Sequence, residues 1–258
     1  MKLKTILLAA IILTISTALF AQKAVESIKP EPAKTVVAAK LPTVQEILAK
    51  YVKAIGGRTA NEKIKSRSMT GTVELAPQGI KGTFETYTTG EAKTFTKMNL
   101  GGIGEMLDGS DGTTAWATNP IQGSREKTGV ELAQAKLSGN FHREINLEKL
   151  FPKMELKGIE KVGSKDAYVI VATAENLPPE TWYFDTVNGL MVRSDVSISS
   201  PEGTQSAKVF FDETRVVDGV TVPVKIRTQL AAFEIIMIAA DVKHGVTIDE
   251  AKFAKPKQ

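Results

Sequence analysis

Two histidines are the first residues to consider for catalysis or metal binding, because the chain contains no cysteine. His142 begins the run His-Arg-Glu-Ile-Asn, which lacks a second histidine at helical spacing, and His244 stands in an unrelated setting. Without cysteine there can be no disulfide, no thiolate nucleophile and no cysteine ligand to a metal. We therefore expect neither a metal site nor a cofactor.

Other short motifs also fall short of a catalytic pattern. No Gly-x-Ser-x-Gly nucleophile elbow occurs. Residues 101–104 are rich in glycine, but predicted strands flank them on both sides, whereas a dinucleotide-binding loop opens a helix. Residues 108–112 resemble part of a calcium loop without its distal glutamate, which favours a plain hairpin. Since no nucleophile, base and orienting group can be named together, the chain is predicted not to be an enzyme.

Apolar residues on both faces of two predicted strands are a clearer indication of function than these polar motifs. Residues 167–172 and 233–240 are apolar on both faces of a strand, so both faces must be covered. Helices can cover one face, and the other needs a second layer, a ligand or a partner. Large and flexible side chains suit an adaptable apolar pocket, although the same side chains also fill ordinary cores. The candidate ligand-binding residues are Met98, Leu100, Met106, Leu107, Trp116, Trp182, Phe184, Met191, Phe210 and Ile236.

Most of the chain is predicted to form antiparallel strands joined by tight turns. Residues 220–228 alternate apolar and polar side chains, as a half-buried strand does. The Asp218-Gly219 and Asn188-Gly189 pairs tolerate the backbone angles of tight hairpins. Glycine-bearing turns separate five earlier strands, which we predict at 68–76, 81–88, 94–100, 103–108 and 113–118.

Helical spacing is confined to two regions. Residues 43–46 form a Thr-x-x-Glu capping box that begins a helix, and Gly56-Gly57 ends it. A second such box, at residues 59–62, predicts a short helical turn. Residues 129–151 return to helical spacing before Pro152, and strands resume at Met154.

These elements predict an α+β fold built on a curved antiparallel sheet of about 11–12 strands. Strand twist accumulates, and open sheets of more than about ten strands curl. We expect a half-open barrel formed by residues 43–258 as a single domain. The N-terminal helix and the helical insert would cover its concave face.

The N-terminus matches a secretory signal. Lys2 and Lys4 precede an apolar run at residues 6–20, and Ala21 is a small residue suited to cleavage. A retained membrane helix is the alternative, but the run is shorter than the ~20 apolar residues that span a bilayer. We predict a signal peptide at 1–21, a flexible tether at 22–42 rich in Ala, Val, Lys and Pro, and no transmembrane segment in the mature chain. The protein would then be periplasmic or secreted.

The charge balance of the chain argues against nucleic acid. The leader carries two of the 33 basic residues and no acid, which leaves 31 basic and 29 acidic side chains in the mature protein. A near-neutral body lacks the basic surface that attracts a phosphate backbone. We expect no nucleic-acid partner, and we expect a monomer.

Several stretches match a known family in their order and spacing. They are residues 51–57 (Tyr-Val-Lys-Ala-Ile-Gly-Gly), 64–66 ahead of the strand that contains Gly71-Thr72-Val73, 111–124 with Asp-Gly-Thr-Thr-Ala-Trp, the 183–190 hairpin, and 212–223. Together they resemble the periplasmic outer-membrane lipoprotein-sorting proteins, the LolA/LolB-like superfamily. The resemblance covers nearly all of the mature chain.

The resemblance implies an open antiparallel half-barrel whose helices plug an apolar concavity for acyl chains. It therefore implies a noncatalytic periplasmic carrier or binder of a lipid or of a lipoprotein acyl chain, with a lipid or lipidated protein as partner. The alternative is an interaction module that docks another envelope protein and carries no lipid. The candidate pocket residues follow from strand alternation and not from the resemblance.

Overall fold

The computed structural model describes residues 40–90 and 92–256. The predicted signal peptide and residues 22–39 of the predicted tether lie outside the described residues. Lys40, Leu41 and Pro42, the end of that tether, have no regular structure. The described residues from Leu41 onward belong to one compact unit.

The helices are short and lie in two parts of the chain. The first pair precedes the sheet, as α1 (Val44–Ala54) and α2 (Arg58–Lys63). The insert in the middle of the chain contains α3 (Gly129–Ser138), a 3-10 turn at Arg143–Ile145 and α4 (Leu147–Leu150). A second 3-10 turn, Glu250–Phe253, follows the last strand.

The described residues form thirteen strands. They are β1 (Ser66–Ala76), β2 (Ile80–Thr89), β3 (Lys93–Leu100), β4 (Gly104–Asp111), β5 (Ala115–Asn119), β6 (Gly123–Glu126), β7 (Lys153–Val162), β8 (Lys165–Thr173), β9 (Glu180–Asp185), β10 (Met191–Ser200), β11 (Gly203–Val217), β12 (Val220–Gln229) and β13 (Glu234–His244). All thirteen belong to one antiparallel sheet, in the order β6-β5-β4-β3-β2-β1-β13-β12-β11-β10-β9-β8-β7.

This order confirms the predicted large antiparallel sheet, with a few differences. The thirteen strands exceed the predicted 11–12 because Gly123–Glu126 forms a strand of only four residues, too short to give an alternation signal. Strand β4 continues to Asp111, so the hairpin begins there and not at Asp108. The Asp111 carboxylate accepts hydrogen bonds from the amides of Thr113 and Thr114 at 2.8 and 2.6 Å, which closes an ordinary Asx turn.

Two meanders, β1–β6 and β7–β13, make up the sheet, and they meet where β1 pairs with β13. The pairing places Arg67 opposite His244 and Val73 opposite Met237, with a register shift at Thr70/Gly71. Within each meander every strand pairs with its neighbour along the chain. The β1–β13 seam is therefore the one long-range pairing in the described sheet.

Alternation divides the sheet into two faces. Directly paired residues of antiparallel strands lie on the same face. The face that carries Arg67, Val73 and Met237 also packs against the helices, and we call it the helix-facing face. The other side is called the outer face.

The sheet is not flat. Strands β5 and β10 are separated by seven other strands, yet Ala117 of β5 and Val196 of β10 line one cavity. Gln122, in the turn after β5, also donates a hydrogen bond to Glu202, in the turn after β10. At about 4.8 Å per strand these residues would lie more than 30 Å apart in a flat sheet. The helix-facing face is therefore strongly curved, and the sheet remains open between its edges β6 and β7.

Helix α1 is held against the helix-facing face by contacts in its middle and at its C-terminal end. The predicted capping box is confirmed, since Thr43 and Glu46 each accept a backbone hydrogen bond from the other. Lys50 donates to the carbonyl of Thr186 at 2.7 Å, and the amide of Thr221 donates to the carbonyl of Ile55 at 3.1 Å. The buried face of α1 packs into a core cluster with side chains of β8, β9 and β10.

The other predicted helical segments differ in detail. Helix α2 begins at Arg58, its cap position is Gly57, and no side chain caps it, so the second capping box at 59–62 is not formed. Glu62 instead forms an exposed ion pair with Arg58 at 3.6 Å. In the insert only Gly129–Ser138 is a helix of several turns, because Gly139 and Asn140 interrupt the apolar spacing that continues after them.

The C-terminal 3-10 turn covers part of the outer face. Phe253 is buried there with Phe95 and Trp116. The Trp116 indole donates to the carbonyl of Phe253 at 3.0 Å, and the Lys252 amine lies 4.5 Å from the Tyr87 ring centre. This segment supplies the cover that the apolar outer face of β2–β5 requires.

Candidate functional site

A cavity of 190 Å³ lies between the helices and the helix-facing face, and we call it the α1 cavity. Its walls come from α1, α2, β1, the 141–145 part of the insert and the β9–β12 region. Nine of the lining side chains are apolar and seven carry a polar or charged group. It consists of Tyr51, Ile55, Asn61, Arg67, Phe141, His142, Glu144, Ile145, Leu190, Met191, Phe211, Thr214, Val220, Thr221, Val222 and Pro223.

Tyr51 and Glu144 close one side of the α1 cavity. The Tyr51 hydroxyl donates to one carboxylate oxygen of Glu144, and Arg143 donates to the other at 3.1 Å. Burial raises the pKa of Tyr51 well above its ordinary value, and the neighbouring Glu144 charge raises it further. Tyr51 therefore stays a neutral donor, and both oxygens of Glu144 are already engaged.

Arg143 links the insert to β9. Its guanidinium donates to Glu180, whose carboxylate also accepts from the Trp182 indole at 2.7 Å. The guanidinium lies 5.2 Å from the Phe151 ring centre and 5.8 Å from that of Trp182. Burial opposes the Arg143 charge, but Glu144 and Glu180 outweigh burial and raise its pKa. Two carboxylates hold its terminal nitrogens, while its buried Nε has no hydrogen-bond partner among the described residues.

Arg67 is in a different position. It enters the α1 cavity from β1, its Nε donates to His244 Nε2 at 2.9 Å, and its guanidinium lies 5.6 Å from the Phe141 ring centre. Among residues 40–90 and 92–256, no carboxylate lies within 4.0 Å of its nitrogens. Burial lowers the pKa of Arg67, although the more distant Glu144 raises it.

His142 lines the same cavity from the insert. Its ring meets the Phe141 ring edge-on at 5.1 Å. Burial lowers the pKa of His142, and the positive charges of Lys65 and Arg67 lower it further, against an opposing effect of Glu62. The imidazole is therefore neutral near pH 7.

A second cavity, of 430 Å³, lies beside α3 between β4–β6 and β10, and we call it the α3 cavity. Its charged groups satisfy one another: Arg125 forms two hydrogen bonds with Glu131 at 2.7 and 2.8 Å, and Lys127 pairs with Asp108. The Gln134 amide bonds to the backbone of Ser197 and Ser199, on the stretch of β10 that extends beyond β9. This cavity offers more room but no unpaired charge.

The structure separates the ten candidate residues by face. Six lie on the helix-facing face and four on the outer face. The helix-facing residues are Met98, Leu100, Met106, Trp182, Phe184 and Met191, and the outer ones are Leu107, Trp116, Phe210 and Ile236. Met191 lines the α1 cavity, while Trp182 and Phe184 are fully buried in the cluster behind it.

The four outer residues pack in two places on the outer face, away from the α1 cavity. Trp116 is 1% exposed beneath Phe253, and Leu107 packs against that cluster. The Phe210 ring lies 4.3 Å from the Arg227 guanidinium, and Ile236 is paired with Arg227 across the ladder. Consecutive residues such as Met106 and Leu107 must point to opposite faces, so alternation within one strand excludes a pocket that includes both.

Sequence reasoning missed the polar part of the α1 cavity. Arg67 stands in a strand beside ordinary polar residues, and Glu144 lies in the His-Arg-Glu run that was tested only as a zinc motif. One signal was available in the sequence. Arg67 is an even number of positions from Met69 and Val73, so in a strand its charged side chain points to the same face as those apolar residues.

The polar groups do not form a recognisable catalytic centre. In the described part of the chain no hydroxyl is hydrogen-bonded to either histidine ring. Three or more metal-ligating side chains do not come together anywhere in that same part. What the arrangement can do is bind an elongated, largely apolar molecule that has a polar end.

Several solved structures have a fold similar to that of this chain. A LolA superfamily protein from Nitrosomonas europaea matches with 15% identity over 83% of this chain and 99% of that chain, at a TM-score of 0.53. A DUF1329 family protein from Desulfovibrio piger matches with 14% identity over 82% and 97%, at 0.54. A domain from Vibrio parahaemolyticus, named for outer-membrane lipoprotein sorting, matches with 11% identity over 81% and 93%, at 0.50.

Sequence comparisons add no closer relative. No protein-family model matches the chain, and a search of curated proteins finds no match. Helices long and apolar enough to cross a membrane are absent from the residues that the structure describes. At such low identity the three solved structures establish the fold alone, and they agree with the resemblance inferred from the sequence. The chain therefore has the fold of the LolA/LolB-like lipoprotein-sorting proteins.

Proposed function

We propose that this protein is a noncatalytic periplasmic carrier or binder of a lipid or of a lipoprotein acyl chain. The observation that carries the proposal is the α1 cavity, a mostly apolar space between the helices and the curved helix-facing face of an open sheet. The LolA/LolB-like fold supports it. In this proposal the helix-facing face is the concave side of a half-barrel, residues 1–21 are a removed signal peptide, and residues 22–42 are a tether.

The size of the α1 cavity limits what it can hold without rearrangement. Its 190 Å³ correspond to about six water-sized volumes of ~30 Å³, and pockets for drug-sized ligands measure about 300–1,000 Å³. One chain segment of about six methylenes would gain about 5 kcal/mol at ~0.8 kcal/mol each. That gain is of the same order as the free-energy cost of immobilising a ligand, so a useful carrier needs either a longer buried chain or a polar anchor.

The two tryptophans provide a test of where on the protein a lipid binds. Trp182 belongs to the cluster that contains Ile145 and Met191, two residues of the cavity wall, whereas Trp116 lies on the outer face. Adding a fatty acid or phospholipid should change the emission of Trp182 and leave that of Trp116 unchanged. The measurement uses Trp116→Phe, which keeps the reporter, and Trp182→Phe, which is the matched control.

Mass spectrometry of protein purified from its own envelope is the complementary test. Mild extraction of the mature protein should release lipid at a stoichiometric level. If no lipid is released and neither single-tryptophan variant responds to added lipid, the carrier proposal is wrong. A response confined to Trp116 would place binding on the outer face.

The alternative, a module that docks another envelope protein through a sheet edge, has less support, because neither edge strand is well suited to pairing. Edge strand β6 has only four residues. The other edge, β7, carries exposed Lys153 and Lys161 and a register shift at Leu156/Gly158, features that discourage pairing with another strand. An envelope pull-down that recovers one protein partner and no lipid would favour this alternative.

A further inference from the structure

Arg67 carries a charge that the described protein does not neutralise at close range. It shares the α1 cavity with nine apolar side chains, among them Ile55, Phe141 and Leu190. Within the described part of the chain, its one hydrogen bond goes from Nε to the neutral imidazole of His244, and no described carboxylate lies within 4.0 Å of the two terminal nitrogens. Arg67 is half-buried, so its charge is partly desolvated, and a counter-charge that reaches it would stabilise it.

The Glu144 charge raises the pKa of Arg67, but it acts from beyond 4.0 Å and makes no direct contact with the guanidinium. Glu144 lines the same cavity, but Tyr51 and Arg143 already occupy its two oxygens. Asp218 is bonded to the far side of the His244 ring at 3.1 Å, so the imidazole separates it from Arg67. A guanidinium held in this way keeps its outer N–H groups available for the two oxygens of a carboxylate or phosphate.

We propose that the α1 cavity binds a single-chain amphiphile with an anionic head group, whose oxygens bond to the Arg67 guanidinium while the chain packs along Ile55, Leu190, Met191 and Val222. The proposal rests on the proposed function and narrows its cargo. A fatty-acid carboxylate and the phosphate of a lysophospholipid share the recognised chemistry. The head-group contact supplies the polar anchor that the short buried chain lacks.

Ligands that share a ten-carbon chain but differ in head group distinguish the contribution of the head group to affinity from that of the chain. We would titrate decanoate, decyl phosphate, methyl decanoate and decanol into the mature protein at pH 7.5, following Trp182 emission in the Trp116→Phe background and heat by calorimetry. A hydrogen-bonded charge pair corresponds to about a tenfold to hundredfold change in affinity. The wild-type protein should prefer at least one anionic ligand over both neutral ones by that factor. The preferred anion distinguishes a carboxylate cargo from a phosphate cargo.

Variants then assign the preference to one residue. Arg67→Gln should bring the ratio of anion affinity to ester affinity close to one, while Arg67→Lys should keep part of the preference. The exposed Arg215, which donates to the carbonyl of Ala240 outside the cavity, provides the control: Arg215→Gln should behave as wild type.

The outcomes keep the two proposals apart. If wild-type protein binds methyl decanoate as tightly as both anions, the head-group inference is overturned and the carrier function stands. The same holds if Arg67→Gln retains the full preference. Binding of none of the four ligands would overturn the head-group inference, while lipid release and the response to phospholipid decide the carrier proposal separately. The comparison of acid with ester in the wild-type protein needs no variant, so it decides even if Arg67→Gln does not fold.

Discussion

His244 connects two charged residues that lie far apart in the chain. Its Nε2 accepts a hydrogen bond from Arg67, so the ring must be neutral, and Asp218 lies 3.1 Å from Nδ1, which holds the proton there. The His244 side chain is only 3% exposed. Burial and the Arg67 charge lower its pKa, while Asp218 acts in the opposite direction. Protonation would break the bond to Arg67 and place a second cation beside it.

The two histidines should therefore make stability depend on pH. Both have a pKa below the ordinary value of about 6.5, so the unfolded state binds more protons as the pH falls below that value. Their stabilising effect is complete above pH 6.5 and is lost as the pH falls toward and through the folded pKa values. The free energy of unfolding in urea should decrease between pH 7.5 and 5.5, and less so in the double variant His142→Gln/His244→Gln.

The quantity to compare is the slope of the free energy of unfolding against pH in the wild type and in the double variant. The absolute stabilities are not comparable, because the substitutions also remove contacts. Carboxylates titrate mostly below this window, and these are the only histidines in the chain. Equal slopes for wild type and the double variant would show that neither imidazole is kept neutral by the fold. His142→Gln alone separates the contribution of the cavity wall from that of the Arg67 hydrogen bond.

At the scale of elements, the position of α1 depends on a close backbone contact at its C-terminal end. Gly56 has φ +104°, and a Cβ there would lie 2.2 Å from the carbonyl oxygen of Gly219 in the β11–β12 turn. Only glycine permits both the backbone angle and the approach. Thr221, the second residue of β12, follows this turn, and its side chain donates to the carbonyl of Ala54 at 3.1 Å. The helix that forms one wall of the α1 cavity is therefore tied to the strands of the opposite wall.

Gly56→Ala should lower the free energy of unfolding by about 2–4 kcal/mol, which combines left-handed strain with a clash against backbone. It should also weaken lipid binding, because α1 must move away from the turn. Gly57→Ala is the matched control: Gly57 has φ +81° and ψ 164°, a region that essentially only glycine adopts, but nothing lies within 4 Å of its Cβ position, so only the backbone strain of about 1–3 kcal/mol applies. Urea denaturation of both variants measures the difference, and equal losses would contradict the contact.

At the scale of the whole molecule, the β1–β13 seam joins two meanders that otherwise pair only with themselves. A Cβ on Gly71, at the register shift in this seam, would lie 2.0 Å from the carbonyl oxygen of Ile238. No rotamer change can relieve a contact with backbone. The seam also brings Arg67 next to His244, so the sheet centre and the polar end of the α1 cavity depend on the same pairing.

Gly71→Ala should therefore cost about 3–5 kcal/mol of stability, at the upper end of single substitutions. Gly90→Ala, at a turn position with nothing within 4 Å of its Cβ, should change stability by no more than about 0.5 kcal/mol. Thermal and urea unfolding followed by circular dichroism measure both. A Gly71→Ala protein as stable as Gly90→Ala would mean that the seam can shift register without loss.

The sequence by itself determined the local elements. The α1 capping box, the Asp218-Gly219 hairpin and the alternation of Val220, Val222 and Val224 are local patterns, and the structure has each of them. Period-two alternation and turn chemistry involve residues only a few positions apart, which is why they can be read without coordinates. The LolA/LolB-like fold was implied by a resemblance to that family, which rested on the order and spacing of such stretches.

Only the tertiary structure decided which face each strand turns toward the helices. Alternation states that Met106 and Leu107 lie on opposite faces but not which face is covered, because that depends on pairing across the β1–β13 seam and on the curvature of thirteen strands. The same pairing brings Arg67 beside His244, 177 residues away in the chain. A cavity is a property of such long-range contacts, so its polar end could not be located before the strands were assembled.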